Sequence, residues 1–289
     1  MQPKTLKTKI FLDSGDSDET KEIISLLGFL DGQTTNPTLI SKNPYAKERF
    51  KRGEKFSTKE IYDFYKQVVK EISGLIPQGS ISIETYADHS TKAKAMFEQG
   101  KEMCSWIPNA HIKYPATKEG LQAAVQSIEE GMRINMTLCF QQEQAAAVYS
   151  ATKRAHKGQV FISPFVGRLD DQGKNGMDII KNIIKMYKDG DTHVEVLAAS
   201  LRNIDHLLYS LKLGADIVTA PFKALKEWAQ KGLPIPQDNY RYNHKNLEDI
   251  PYREIDLTKN WQEFNISHEL TTKGIERFSN DWNKLNSFI

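Results

Sequence analysis

An alternation constrains this chain more than any other feature of it. Eight short apolar runs, "KIFLDS", "GQTTN", "SISIET", "HIKYPA", "RINMTLC", "QVFISPF", "HVEVLAAS" and "ADIVTAP", follow one another through residue 221. Amphipathic stretches such as "TKEIYDFYKQVVKEISGLI", "TKEGLQAAVQSIEEG" and "NGMDIIKNIIKMYKDG" lie between them. Several of these open on Ser, Thr, Asp or Asn and stop at Gly, the chemistry that helix ends require. Strand-length runs separated by helical periods read as βα units, because parallel neighbours must be joined by a crossover long enough to hold a helix. Eight units predict an α/β fold, a (β/α)8 TIM barrel rather than an open doubly wound sheet, and 289 residues lie within the range one barrel fills.

The rhythm breaks at about residues 232–267, "GLPIPQDNYRYNHKNLEDIPYREIDLTKNWQEFNIS", where Pro, Asn, Asp and Tyr replace any sustained apolar period. This segment reads as an irregular surface insertion that docks on its own barrel or on a neighbouring subunit. Helical spacing returns in "ELTTKGIERFSNDWNKL" and predicts a closing helix at about 269–286. Residues 1–289 are therefore expected to form one barrel domain.

Composition narrows the partners. Thirty-nine Lys and Arg against 37 Asp and Glu leave a formal charge of +2, so no global field draws in nucleic acid or an anionic membrane. An anionic ligand must be met by a few local groups. Cys104 and Cys139 are too few for a disulfide framework, sit among apolar neighbours and are expected as buried thiols. The seven histidines lack ligand spacing, so no metal is expected, and no Walker loop, GxGxxG, GxSxG or HExxH occurs. No window approaches the roughly 18 apolar residues of a membrane span, and the amino end has no signal-like region, which points to the cytoplasm.

In a parallel barrel the chemistry gathers where strand carboxyl ends emerge. The polar residues there are Asp13, Asn36, Glu84, Lys113, Thr137, Ser163, Arg168, Ser200 and Arg202. Lys113 stands out. In "HIKYP" the period of two turns Ile112 and Tyr114 one way and Lys113 the other, into the barrel. Burial disfavours an ammonium and so favours the neutral amine that can condense with a carbonyl to a Schiff base. The blander alternative is a lysine that binds an anion or reaches back to solvent. Asp13 could equally make a turn, and Asn36 before Pro37 an Asx turn. Glu84 beside a desolvated lysine would pair with it or exchange protons with it. In "VGR" and "SLR", Arg168 and Arg202 with Ser200 would make a phosphate clamp, unless the arginines bridge to Asp170 or Asp171 instead.

Taken in order, "FLDSGD", "QTTNPTLI", "HIKYPAT", "NMTLCF", "ISPFVGRLDD" and "AASLRN" resemble the transaldolase family, including its shorter fructose 6-phosphate aldolase-like branch. The resemblance runs from residue 9 to about 231 and resumes at "TTKGIERFSNDW". It implies a class I aldolase barrel without metal or organic cofactor, acting on sugar phosphates within pentose phosphate carbohydrate metabolism. Lys113 would be the Schiff-base lysine and Asp13 the base that deprotonates the C4 hydroxyl. Glu84 and Thr137 would hold a proton-shuttling water. Asn36 and Ser163 would bind the retained three-carbon unit, and Arg168, Ser200 and Arg202 the phosphate.

Aldolase-like members generally carry Gln where this chain has Glu84 and Tyr where it has Phe165, so both positions side with transfer over simple cleavage. A phenol near the reacting centre could supply a proton, whereas Phe165 cannot. The rival expectations are a fructose 6-phosphate aldolase releasing free dihydroxyacetone, and a barrel that binds sugar phosphate without catalysis. Tyr114 and the 232–267 insertion depart from the family's pattern. Assembly into a homo-oligomer stays open at this level.

Overall fold

In a computed structural model of the chain, residues 6–188, 190–244 and 246–286 are described. The eight expected runs are the strands: β1 Lys9–Asp13, β2 Gly32–Thr34, β3 Ser80–Glu84, β4 Ala110–Pro115, β5 Ile134–Cys139, β6 Val160–Pro164, β7 Val194–Ala198 and β8 Ile217–Ala220. They pair in chain order, all parallel, and β8 returns to β1, closing the barrel. The fold is the α/β TIM barrel that the alternation predicts.

The helices are α1 Ser17–Leu27, α2 Pro37–Ser41, α3 Pro44–Lys51, α4 Thr58–Leu75, α5 Ala93–Cys104, α6 Lys118–Glu129, α7 Gln142–Ala151, α8 Val166–Asp170, α9 Gly176–Tyr187, α10 Ile204–Leu213, α11 Phe222–Gln230 and α12 Glu269–Leu285. Their starts follow the caps in the sequence. Ser57 and Glu60 form a capping box at α4, and Asp16, Thr117, Asn175 and Asn203 accept backbone N–H groups at α1, α6, α9 and α10. Helices α2, α3, α8 and α11 escape the sequence reading. The first three are too short to display a sustained period, and α2 and α3 open on prolines, which mark turns as readily as helix starts. None of the described helices is long and apolar enough to cross a membrane.

Alternation sorts each strand into a face toward the helices and a face toward the barrel axis. Tyr114 points outward, bonding Ser127 Oγ at 3.0 Å, which leaves Lys113 inward. At the amino end of the barrel the inward residues plug the interior: Lys9 Nζ meets Glu195 Oε1 at 2.9 Å, and His111 stacks on Phe161 with centroids 4.1 Å apart. At the carboxyl end the inward residues are polar. The cysteines differ from expectation in one respect: Cys139 is buried, but Cys104, the last residue of α5, keeps partial exposure because it sits where the helix leaves the barrel.

Between α11 and α12 the chain runs back over the outside of its own barrel. Tyr242 stacks on Tyr209 of α10 at 4.7 Å, and Ile250 exchanges bonds with Asp178 and Asn182 of α9 at 3.0 and 2.9 Å. Arg253 does the same with Gln142 of α7, at 2.8 and 3.0 Å, and Ser150 donates to the Lys259 carbonyl at 2.6 Å. Helix side chains thus answer an irregular backbone that has no strand partner for most of its length. The path delivers α12 to the carboxyl-end mouth, where it packs on α2 and β5.

At that contact β5 is distorted. Its register against β6 shifts between Met136 and Cys139, and Leu138 takes a left-handed φ of 58°. Such a backbone costs a non-glycine residue about 1–2 kcal/mol and needs support from its surroundings. Thr271 of α12 supplies it, donating to the Leu138 carbonyl at 2.9 Å and accepting from Gln144 Nε2 at 2.9 Å. Replacing Thr271 with Val strands both partners in a buried place, so chemical denaturation should register a loss of roughly 1–3 kcal/mol. Hydrogen exchange along α12 should accelerate with it; unchanged exchange would show that this contact does not hold the helix.

Candidate active site

The inward residues at the carboxyl end meet in one place. Lys113 Nζ lies 3.0 Å from Glu84 Oε2, and both side chains are only 4% exposed. Nζ also donates to the Thr35 carbonyl at 3.3 Å, and among the described residues Oε2 has no polar partner besides Lys113. Neighbouring strands fix the pair, because Glu84 and Lys113 are register partners in β3 and β4. Burial pushes the Glu84 carboxyl up, and the Lys113 charge holds it partly back.

Asp13 ends β1 and caps no helix, since Asp16 caps α1. Burial pushes its carboxyl up as well, opposed by Lys113, by a hydrogen bond from Thr34 and by Lys42. Thr34 donates to Asp13 Oδ1 at 2.7 Å and lies 2.6 Å from the Thr219 hydroxyl. Asn36 does what its Pro37 neighbour suggested, capping α2 by accepting from Leu39 N at 3.0 Å, and it also lines the cavity described next.

A cavity of about 150 Å³ opens over these groups. Its wall includes Asp13, Asn36, Lys113, Ser163, Phe165, Arg168, Ser200 and Arg202. Glu84 and Thr137 are outside that wall; Glu84 reaches it through Lys113, and the Thr137 hydroxyl is buried with no hydrogen-bond partner among the described residues. A larger cavity lies elsewhere, between α3 and α4, but it contains none of the strand-end residues.

The two arginines differ. Arg202 makes the bridge to Asp171 that the sequence left open, at 2.5 Å, and also lines the cavity. Arg168 has no carboxylate within ion-pair distance among the described residues. Its guanidinium lies between the rings of Phe165 and Phe278, 5.2 and 5.1 Å from their centroids. Burial, followed by repulsion from Arg277, pulls its pKa down to about 10, with Glu84 opposing and Arg202 adding to the fall.

Gly167 closes the "VGR" and "SLR" segments on each other. A Cβ there would stand 2.1 Å from Arg202 Nε and 2.6 Å from the Ser200 carbonyl, which accepts from Gly167 N at 2.9 Å. Ser200 itself takes a left-handed φ of 57° to make the turn. The sequence reading missed several wall residues. Thr34 and Thr219 could have been found by continuing the period of two along β2 and β8. Lys42, Arg277 and Phe278 follow no strand and carried no such mark. Asn135, which the sequence reading also passed over, accepts from Ser163 Oγ at 2.6 Å, donates to Ser82 Oγ at 3.0 Å and is fully buried. Among the described residues no cluster of three or more His, Cys, Asp or Glu is placed to hold a metal.

Comparison with known proteins gives this arrangement a lineage. Residues 10–289 match the family described as Transaldolase/Fructose-6-phosphate aldolase. The chain belongs to that family. It is 38% identical to a probable transaldolase of Dehalococcoides mccartyi over 225 residues, 78% of this chain and 92% of that protein. Over nearly full length it is 35% identical to probable transaldolases of Roseiflexus sp. (95% of this chain, 96% of that one) and Caldicellulosiruptor saccharolyticus (96% and 98%). This family member places its lysine, two carboxylates and paired arginines around one mouth of the barrel.

The Thr34 hydroxyl favours the Asp13 carboxylate, so removing it as Thr34→Val should move the Asp13 titration to higher pH. A carbon-detected NMR titration of the side-chain carboxyl reads this directly, and a shift toward lower pH would contradict the assignment.

Proposed function

We propose that this protein is a transaldolase, moving a dihydroxyacetone unit from a ketose phosphate such as fructose 6-phosphate or sedoheptulose 7-phosphate to an aldose phosphate such as erythrose 4-phosphate or glyceraldehyde 3-phosphate. The observation that carries the reading is the buried Lys113–Glu84 pair at 3.0 Å beneath a cavity whose wall holds an arginine without a carboxylate partner. An isolated lysine could serve anion binding alone. A lysine with a proton acceptor at contact distance can also become a nucleophile.

Burial penalises both charges of the pair, so passing the proton from Nζ to Oε2 gives a neutral amine and a neutral acid without changing the proton count. The amine lone pair attacks C2 of the ketose. Glu84 then returns a proton to the departing hydroxyl, which leaves as water, and a protonated imine remains. The unpartnered Thr137 hydroxyl suits the holding of that water. Asp13 takes the C4 hydroxyl proton; the C3–C4 bond breaks, the new aldehyde leaves, and the electron pair moves through C3 and C2 to the imine nitrogen as an enamine. Addition of the acceptor aldehyde to C3 reverses these movements, Asp13 giving its proton to the new hydroxyl. Hydrolysis of the imine frees the product.

Asn36 and Ser163, which line the same wall, bind the hydroxyls of the retained unit in this reading, with Arg168, Ser200 and Arg202 on the phosphate. Transfer requires that the enamine outlive the exchange of aldehydes. Phe165 supports this, because its ring packs against Arg168 and has no proton to give.

Borohydride reduction in the presence of fructose 6-phosphate should leave a three-carbon adduct on Lys113, identified by peptide mass spectrometry. Lys113→Ala should lose the adduct and on the order of 10⁴-fold or more in kcat; full activity in that variant would end the Schiff-base reading. With no acceptor supplied, little free dihydroxyacetone should accumulate. Its steady release at a rate matching transfer would assign the protein to the aldolase branch, and anion binding without any adduct would leave a binding barrel.

A further inference from the structure

The cavity wall holds two cations that the chemistry above does not use, Lys42 at the carboxyl end of α2 and Arg277 on α12. Arg277 has one ion-pair neighbour among the described residues, Asp281, with Nε and Oδ2 3.9 Å apart. Asp281 is already engaged by the Thr38 hydroxyl at 2.5 Å and by Lys284 at 3.5 Å. The Arg277 charge is therefore weakly neutralised, and it lies near enough to Arg168 to repel it.

The helix backbone brings this about. A Cβ on Gly274 would come within 2.7 Å of Arg168 Nη1 and 2.6 Å of Leu138 Cδ2, so α12 rides directly on Arg168 at this position. One turn further, residues 277 and 278 reach the cavity: Phe278 covers the guanidinium of Arg168, and Arg277 joins the wall. Arg168, Arg202 and Arg277 then share the wall of one small cavity, with Asp171 on Arg202, Asp281 3.9 Å from Arg277 and the charge of Glu84 on Arg168 as their counter-charges among the described residues. Like charges gathered this way disfavour one another until a multivalent anion sits among them.

We propose that Arg277 is a third arginine of the phosphate clamp, carried in by the terminal helix, and that it makes α12 a specificity element for phosphorylated over unphosphorylated sugars. The inference rests on the reading above only in taking the anion to be a sugar phosphate. Arg277 sits on the phosphate side and takes no part in the bond changes at C2 to C4.

Calorimetric titration with inorganic phosphate, which needs no turnover, tests the clamp directly. Arg277→Gln should weaken phosphate binding about tenfold, the loss expected when one charged hydrogen-bond partner is removed. It should raise KM for fructose 6-phosphate by a similar factor with kcat within about threefold of wild type. Arg277→Lys should recover a good part of the affinity, and Lys284→Gln, on the same helix and beside the same Asp281, should change neither quantity. Wild-type phosphate affinity in Arg277→Gln overturns the inference, as does a loss confined to kcat. If Arg168→Gln weakens phosphate while Arg277→Gln does not, this inference fails and the transaldolase reading stands. If Lys113 forms no adduct with fructose 6-phosphate while Arg277→Gln still weakens phosphate, the functional reading fails and the third arginine remains.

Discussion

Two opposite charges 3.0 Å apart, almost sealed from water, are the constraint around which the carboxyl end of this barrel is organised. A buried ion pair has a desolvation cost that its own attraction offsets only when the geometry is good and the remaining polar atoms are answered. Here the answer is incomplete. Nζ has the Thr35 carbonyl at 3.3 Å, but among the described residues Oε2 has no partner besides Lys113 and the buried Thr137 hydroxyl has none. A pair optimised for stability would be better satisfied. One left partly unsatisfied, at the base of a cavity, is suited to exchange its proton with a substrate.

The same economy appears around the proposed anion site. Phe165 and Phe278 pack against the Arg168 guanidinium, which has no carboxylate at ion-pair distance among the described residues. Arg202 divides itself between Asp171 and the cavity. Gly167 and the left-handed Ser200 allow the two arginine-bearing turns to approach more closely than side chains would permit. The rigid parts of the proposed clamp are thus backbone and aromatic surface, while the charged groups stay available. Preorganised donors of this kind need little rearrangement when an anion arrives.

The barrel was legible in the sequence because its signal is local. Each strand alternates by two, each long helix repeats by 3.6, and caps mark the boundaries. The same period of two put Lys113 inside and Tyr114 outside. Residues on strand ends were therefore within reach, and the gathering of all but Glu84 and Thr137 on one wall follows once the strands close in order. Lys42, Arg277 and Phe278 were beyond reach for a definite reason: they arrive from α2 and from a helix joined to the barrel by some forty residues without a regular period. No local pattern in "TTKGIERFSNDW" says which face of that helix meets the cavity. Only the path across α10, α9 and α7 does.

That path explains what the irregular segment contributes. An ordinary βα unit ends with its helix on the outside of the barrel, where a side chain cannot approach the mouth. To bring a helix over the mouth, the chain must leave α11, travel round the wall and rise again, and every backbone group along the way needs a partner. Asp178, Asn182, Gln142, Gln141 and Ser150 provide many of them from the helix surfaces. The strained Leu138 then receives Thr271, and Gly274 settles on Arg168. The bends in β5, the small residue on α12 and the polar outer faces of α7 and α9 belong to one solution: they let a terminal helix take part in a site that the eight strands alone would leave open to solvent.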